Sequence, residues 1–440
     1  MRIHLLKRNI KLVILIAAIC VTMCYLFGIY GLKPQNSQLS DYEVVPMYGG
    51  HRENNEKPSP FDDYDDPFSS SLVTDLKVYN KVKGKKCLEQ RDFVFIKTMK
   101  CATQTMVQIF RRFGYRRHLN FVLPRGGNIY LGWPYIPELQ DYRPSKRPFN
   151  ALAEHSVYNE TVMKSIMPKT THYVTIIREP FSQFKSSFHY FNVANISRMK
   201  KTKDDISEYL HHLDTYETFY KTPAASATRY CIPDEFSVTK NLLSHCLGMP
   251  LGFPAGRENI TSQSGKIAEY IEMLDRNFML VMIMEYFHES LVLLKRLMCW
   301  SMEDIMYHTV NVGQYSYKDK TPDPENLKIY KHWSGVDFLL YNHFNQSFWK
   351  KVKHQGDDFF DEVKTFNDIH TRVSKYCSNL EEGENSMMIM ATAFSDQFVV
   401  TKEYCVMLGV DLLTFLKTRM EREEGWVNQD TGNKGPKRGC

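Results

Sequence analysis

Three short apolar runs, each followed by residues with helical spacing, constrain the fold of this 440-residue chain most strongly. The runs cover residues 93–96, 173–177 and 278–284. Buried strands that alternate with helices are typical of βαβ units, which build a parallel sheet covered by helices. We therefore predict one α/β domain over about residues 88–420, and the 43% hydrophobic content is enough to give it a core.

A polar loop follows the first run, between Lys97 and Thr105, and it contains lysines and hydroxyl side chains. Apolar residues then recur at the spacing of a buried helix face: Met106, Ile109, Phe110 and Phe113. A strand, a polar loop and a helix N-terminus bind phosphate or sulfate, because unpaired backbone N–H groups and the helix dipole converge on the anion. The loop has no glycine, so it is not a Walker A sequence, and an ATPase or kinase is disfavoured. Taken alone, the loop is also compatible with a lysine-bearing surface turn.

A second polar junction follows the next run. Pro180 suits the first position of a helix, which places Arg178 at the strand end and Ser186 on the helix behind it. The guanidinium can fork onto two phosphate oxygens while the hydroxyl donates to a third. The alternative for Arg178 is a structural salt bridge.

These two segments resemble the 5′-phosphosulfate loop and the 3′-phosphate motif of sulfotransferases that use 3′-phosphoadenosine 5′-phosphosulfate (PAPS). The pattern is most similar to the galactose 3-O-sulfotransferase family, whose first loop reads K-T-x-K-T-A-S-S-T. Residues 97–105 keep both lysines, the alanine and the final threonine, and they depart from it at Cys101 and Gln104. Further similarity at residues 285–294, 299–304 and 338–349 extends the resemblance over most of residues 90–355.

The resemblance implies a P-loop-like sulfotransferase domain, with a parallel sheet flanked by helices, that moves a sulfuryl group from PAPS to the 3-hydroxyl of a terminal β-galactose. It assigns Lys100 to the leaving phosphate oxygen. The other loop residues would line the 5′-phosphosulfate: Lys97, Thr98, Thr103, Gln104 and Thr105. Arg178 and Ser186 would hold the 3′-phosphate. No metal is required, because positioning and a cation at the leaving group carry most of the catalysis.

The acceptor hydroxyl must lose a proton, and His155 is the candidate base because an unperturbed imidazole titrates near pH ~6.5. Related sugar sulfotransferases use a His or a Glu in the corresponding segment, so Glu154 is the alternative. The family pattern has a second histidine a few residues later, where this chain has Tyr158 or Asn159. Four residues are candidates to stack on the acceptor sugar: Trp133, Tyr135, His189 and Tyr190.

The acceptor class stays open between a galactosylceramide-like glycolipid and a glycoprotein glycan. The alternatives are a glycosaminoglycan uronic acid as acceptor, or a catalytically inactive lectin-like relative, which the departures at Cys101 and Gln104 raise. The net charge of +6 is spread along the chain, which argues against nucleic-acid binding, and a homo-oligomer stays open. A D-x-D pattern within residues 62–66 would suit a metal-dependent glycosyltransferase, but its polar, proline-flanked context indicates a solvated acidic patch.

A run of 21 residues without a charged side chain, residues 12–32, is long enough to cross a bilayer as a helix of roughly 30 Å. Basic residues precede it and only Lys33 follows closely, so the N-terminus is predicted to be cytosolic. We predict a single-pass type II Golgi membrane protein with a cytosolic tail (1–11), a signal anchor (12–32), a lumenal stem (33–87) and a polar C-terminal tail (421–440). A cleaved signal peptide is the alternative.

Sequons and cysteines agree with a lumenal, oxidising location for the domain. Four asparagines begin N-x-S/T sequons and are predicted glycosylation sites: Asn159, Asn195, Asn259 and Asn345. Eight of the ten cysteines follow the apolar run. Spacing does not determine their connectivity, and we hypothesise one pair, Cys231 with Cys246.

Overall fold

The computed structural model describes residues 87–125, 129–223, 229, 232–308, 313–379 and 386–424. The predicted cytosolic tail, signal anchor and acidic patch lie outside these residues, as does the predicted stem up to residue 86. Within the described ranges, no helix has the length and apolar character needed to span a membrane.

A four-stranded parallel sheet forms the centre of the described domain, in the order β2-β1-β3-β4. Its strands are β1 (Phe93–Ile96), β2 (Ala151–Leu152), β3 (His172–Ile177) and β4 (Phe278–Ile283). The three predicted apolar runs correspond to β1, β3 and β4 within one residue at each end. All four residues of β1 are fully buried, as expected for a parallel strand covered on both faces. The predicted α/β class with a parallel sheet is therefore confirmed.

Helices flank the sheet, and the chain also forms a two-stranded antiparallel hairpin, β5 (Ser386–Ile389) with β6 (Phe398–Thr401), before its last two helices. The helices of the described residues are labelled in chain order: α1 (Thr103–Arg116), α2 (Glu160–Ile166), α3 (Pro180–Tyr190), α4 (Val193–Ile196), α5 (Asp205–His211), α6 (Leu213–Tyr220), α7 (Leu242–Cys246), α8 (Ser264–Asn277), α9 (Phe287–Met298), α10 (Pro324–Trp333), α11 (Gly335–Lys353), α12 (Phe359–Ser378), α13 (Lys402–Gly409) and α14 (Leu413–Glu424). The last helix thus continues to Glu424, beyond the position where the polar tail was predicted to begin.

Two apolar clusters hold these elements together. The larger one covers the sheet and includes the predicted buried face of α1, all four of whose apolar residues are fully buried. The smaller one lies on α3 and its neighbours, where Phe184 stacks on Tyr330 of α10 with ring centroids 4.4 Å apart. The apolar side chains of α3 therefore anchor this helix in the smaller cluster, and the helix starts at Pro180 as predicted.

The connections of the sheet reverse direction between β1 and β3. The chain leaves β1 toward β2 on one side, and it leaves β3 toward β4 on the other. In open α/β sheets, ligands bind at the carboxyl ends of the strands at such a reversal. Because β1 and β3 are adjacent and parallel, the loop at residues 97–102 and the junction at residues 178–180 meet at this edge.

Within the described residues, two disulfides tie distant parts of the domain together. Cys87 pairs with Cys299 at the end of α9, and Cys377 at the end of α12 pairs with Cys405 on α13. The hypothesis of a Cys231–Cys246 pair is wrong, because Cys246 has a free thiol. That thiol is fully buried in the cluster around α3, where its environment is apolar.

Candidate active site

The loop between β1 and α1 turns sharply and is fixed by its own hydrogen bonds. Lys100 and Ala102 have left-handed backbone angles, with φ of 63° and 54°. Such angles are uncommon for residues other than glycine and often mark functional sites. The hydroxyl of Thr98 donates to the carbonyl oxygen of Ile176 on β3, and the hydroxyl of Thr103 donates to the carbonyl oxygen of Thr98 at 3.0 Å. The loop is therefore held in one conformation against the neighbouring strand.

The two helices that begin at this edge differ at their N-termini. Helix α1 has Ala102 as its capping residue, and among the described residues no side chain caps its first turn. Helix α3 is capped by Glu179, whose carboxylate accepts from the N–H groups of Phe181 at 2.9 Å and Ser182 at 2.7 Å. The positive end of α1 is thus available to an anion, whereas a carboxylate already neutralises that of α3.

Lys97 is a buried cation at the start of the loop, with a side chain only 5% exposed. Its Nζ donates to Oε1 of Gln104 at 3.0 Å, and it makes no ion pair with any described residue. Burial, with the nearby charge of Arg111 as a second cause, lowers the pKa of Lys97 to about 8. An ammonium in this position gains from an anionic ligand, because burial without a counter-ion is costly.

Lys100 and Arg178 bring the two predicted junctions together. Nη1 of Arg178 lies 3.5 Å from the carbonyl oxygen of Lys100. Burial, and then repulsion from Arg178, lower the pKa of Lys100 to about 8. The same two causes lower the pKa of Lys185, whose Nζ donates to the carbonyl oxygens of Lys318 and Lys320. Both lysines therefore lie close enough to Arg178 for its charge to repel theirs, and an anionic ligand between them would relieve this repulsion.

Glu285 supports the strand end that carries Arg178. Its two carboxylate oxygens accept from the N–H group of Glu179 at 3.0 Å and from the hydroxyl of Tyr341 at 3.1 Å. Burial raises the pKa of Glu285. The contact with Tyr341 joins two segments that showed family similarity, residues 285–294 and 338–349, and their contribution to the site could not be read from the sequence.

His155 lies just after β2 and reaches the same loop. Its Nδ1 is 3.1 Å from the carbonyl oxygen of Lys97. A carbonyl oxygen only accepts hydrogen bonds, so Nδ1 must carry the proton, and Nε2 is left with a lone pair that can accept one. Burial, with the charge of Lys97 as the next cause, holds the pKa of His155 well below its ordinary value. The imidazole is therefore neutral near pH 7, as a general base must be.

Glu154, the alternative base, is engaged elsewhere. Its fully buried carboxylate accepts two hydrogen bonds from Arg111 of α1, at 2.8 Å and 2.5 Å. Arg111 also reaches Asp411, between α13 and α14, at 2.5 Å. The geometry therefore favours His155 over Glu154 as the proton acceptor. Arg111 was missed from the sequence, because it lies outside the apolar face that the spacing predicts for α1.

Other predicted residues of the loop have structural contacts. The hydroxyl of Thr98 serves the contact between strands, Thr105 is buried in the first turn of α1, and Gln104 orients Lys97. Cys101 is fully buried in the larger apolar cluster. Of the two departures from the family pattern, Cys101 is therefore a core residue, and Gln104 orients Lys97.

Helix α3 holds the loop through a residue that the sequence did not single out. Nε2 of Gln183 donates to the carbonyl oxygen of Met99 at 3.1 Å and to the hydroxyl of Ser187 at 2.9 Å. Ser186, the predicted 3′-phosphate ligand, is half-buried on the same helix, and no hydrogen bond joins it to Arg178 among the described residues.

The four candidate sugar-stacking residues have different environments. Trp133 is fully buried, and Tyr135 is half-buried against Phe253. His189 is exposed, but it stacks on Tyr315 with ring centroids 4.8 Å apart. Tyr190, at the end of α3, is 56% exposed and contacts Lys100.

The predicted glycosylation sites also differ in accessibility. Asn195 and Asn259 are exposed. Asn159 caps α2, its Oδ1 accepting from the N–H group of Val162 at 3.0 Å. Asn345 lies inside α11, and its Oδ1 is buried with no hydrogen-bond partner among the described residues.

Comparison with known proteins agrees with the site geometry. A family model described as Galactose-3-O-sulfotransferase matches residues 5–411. The chain is 33% identical to galactosylceramide sulfotransferase of Mus musculus over 277 residues, or 61% of this chain and 60% of that protein. It is 34% identical to galactosylceramide sulfotransferase of Homo sapiens over 278 residues, with the same shares. Galactose-3-O-sulfotransferase 2 of Mus musculus is 28% identical over 268 residues, or 59% of this chain and 62% of that protein. The chain thus spans about 60% of the length of the curated relatives that it matches.

Proposed function

The chain belongs to the galactose-3-O-sulfotransferase family, and on that premise we propose that it transfers a sulfuryl group from PAPS to the 3-hydroxyl of a terminal β-galactose. The observation that carries the proposal is the meeting of Lys100 and Arg178 at the β1/β3 edge, beside the uncapped N-terminus of α1. This arrangement offers cations and backbone N–H groups to both anionic ends of one nucleotide.

The residues around the loop fit the donor. PAPS supplies an activated sulfuryl group on a phosphate that leaves as an anion. The N–H groups at the start of α1 and the ammonium of Lys97 would hold the 5′ end. The ammonium of Lys100 would stabilise the negative charge that builds on the bridging oxygen, and Arg178 would bind the 3′-phosphate. Ser186 stays a predicted 3′-phosphate ligand.

His155 provides a route for the proton of the acceptor hydroxyl. Nε2 accepts this proton, while the Nδ1–H group keeps its hydrogen bond to the carbonyl oxygen of Lys97. That hydrogen bond fixes the ring orientation and connects the base to the loop that holds the leaving group. Tying the base to the loop that would hold the leaving group reduces the reorganisation needed during the reaction.

The names of the relatives support a galactosyl acceptor, and we infer a galactosylceramide-like glycolipid or a galactose-terminated glycan. We place the enzyme in the Golgi membrane as a type II protein with a lumenal domain, anchored through residues 12–32. The two disulfides support an oxidising compartment for the domain.

Purified full-length protein, incubated with labelled PAPS, tests the proposal with a panel of β-galactosyl lipids, β-galactosyl glycans and heparan. We expect transfer to galactosyl acceptors and not to heparan. Lys100→Ala should lower kcat by about 10²–10³-fold, because a group that stabilises developing charge is lost. Calorimetry should still detect binding of adenosine 3′,5′-bisphosphate to this variant.

Lys169→Ala is the matched control. Lys169 is exposed and precedes β3, so it lies at the amino end of the strands, away from the proposed site. It should leave transfer unchanged. If the wild-type protein takes up no adenosine 3′,5′-bisphosphate, or if Lys100→Ala transfers as fast as wild type, the proposed function is wrong. Preferential transfer to heparan would instead support the uronic-acid alternative.

A further inference from the structure

We infer that the exposed ring of Tyr190 is the platform against which the acceptor galactose packs during transfer. This inference rests on the proposed function and adds to it a specificity-determining residue. Tyr190 ends α3, and the ammonium of Lys100 lies 3.9 Å from the centre of its ring. The side chain is 56% exposed, although its neighbour Phe188 is buried in the cluster around α3.

Distance supports this location for the acceptor. If Lys100 hydrogen bonds to the leaving oxygen, its ammonium lies about 3 Å from that atom. Reacting atoms approach to about 3–3.5 Å in a productive complex, so the acceptor oxygen lies within one sugar width of Lys100. The ring of Tyr190 contacts Lys100 directly, and it therefore borders the volume that the acceptor sugar must enter.

The neighbouring aromatic residues are less suited to this role. Trp133 and Tyr130, which stack on each other near His155, are buried. His189 is stacked on Tyr315. Among the aromatic residues of the described ranges, Tyr190 combines large exposure with contact to the proposed leaving-group cation.

The chemistry of galactose fits an aromatic platform. One face of galactopyranose carries only C–H bonds near carbon four, because the axial hydroxyl there lies on the other face. That apolar face can pack on a ring whose negative electrostatic face attracts polarised C–H groups. In a sugar with an equatorial hydroxyl at carbon four, the C–H bond of that carbon points to the other face. The apolar patch is then smaller, so the platform would favour galactose over glucose.

Kinetics and direct binding test the inference separately from the proposed function. Tyr190→Ala should raise the KM for a β-galactosyl acceptor about tenfold, the size expected for loss of an aromatic contact, while the KM for PAPS changes little. Tyr190→Phe keeps the ring and should recover most of the acceptor affinity that Tyr190→Ala loses, whereas Tyr190→Leu should not. Phe360→Ala is the matched control, because Phe360 of α12 is 57% exposed and lies on another helix.

Tyr190→Ala also removes the contact between the ring and Lys100, which can itself lower kcat. The second measurement therefore compares variants in which Lys100 is already replaced by alanine. Methyl β-galactoside is titrated into Lys100→Ala and into the Lys100→Ala, Tyr190→Ala double variant, each saturated with adenosine 3′,5′-bisphosphate. We expect the double variant to bind the galactoside about tenfold more weakly. Equal affinities would overturn the inference and leave Tyr190 as a residue that only positions Lys100. A wild-type protein that sulfates no galactosyl acceptor would refute the proposed function, and the platform with it.

Discussion

Replacing Glu154 by glutamine tests whether this carboxylate is structural or catalytic. Glu154 is fully buried and makes two hydrogen bonds with Arg111, which is only 2% exposed. Removing one partner of a buried ion pair costs about 3–5 kcal/mol of unfolding free energy, because the other charge stays buried. Glutamine still accepts one hydrogen bond, and Asp411 still neutralises part of the charge of Arg111. We therefore expect the free energy of unfolding to fall by about 3 kcal/mol, at the lower end of that range.

Urea denaturation of the purified variant measures this loss, and steady-state kinetics measure its effect on transfer. Because His155 is the proposed proton acceptor, kcat of folded Glu154→Gln should stay close to the wild-type value. Removal of a general base would instead lower kcat by about 10²–10⁴-fold. A drop of that size with unchanged stability would refute the structural assignment of Glu154.

Two control variants separate the buried pair from its surroundings. Asp411→Asn removes the carboxylate of Asp411, the exposed partner of Arg111, whose side chain is 56% exposed. This change should lower the free energy of unfolding by about 1 kcal/mol or less. The double variant Arg111→Met, Glu154→Leu replaces the pair by apolar side chains. It should be much more stable than Glu154→Gln, because no buried charge is left without a partner.

Two further predictions concern pH and redox state. The pKa of His155 is well below its ordinary value of 6.5 and that of Lys100 is about 8, so kcat/KM should stay level through pH 6.5 and fall near pH 8 as the ammonium loses its proton. A pH–rate profile with an acid limb near pH 6.5 would contradict the burial of His155. Cys377→Ser should lower the unfolding free energy by about 3–4 kcal/mol, since its disulfide with Cys405 spans 28 residues of sequence. Denaturation with and without reductant measures this, and a variant as stable as the oxidised wild type would contradict it.

The strands and the two junctions were predictable because their signals are local. Apolar runs of strand length located β1, β3 and β4, and Pro180 marked the start of α3. The partners of Glu154 were not predictable, since periodicity reports that a position is buried but not which residue it contacts. Arg111, which pairs with Glu154, is 43 residues away from it in the sequence. Asp411, which pairs with Arg111, is 300 residues away from Arg111. The failed Cys231–Cys246 hypothesis has the same cause, because spacing carries no information on which cysteines approach each other.

The difference between the two helix N-termini gives the proposed donor site a direction. The free N–H groups of α1 belong to a loop that is already fixed by the hydroxyls of Thr98 and Thr103, so they are preorganised where charge changes during transfer. At α3, Glu179 neutralises the helix terminus, so in the proposed site a 3′-phosphate would rely on the side chains of Arg178 and Ser186. A contact that is equally strong in the substrate complex and in the transition state raises donor affinity without raising kcat. In the proposed complex, the uncapped helix would therefore face the reactive end of the donor, and Arg178 beside the capped helix would hold its other end.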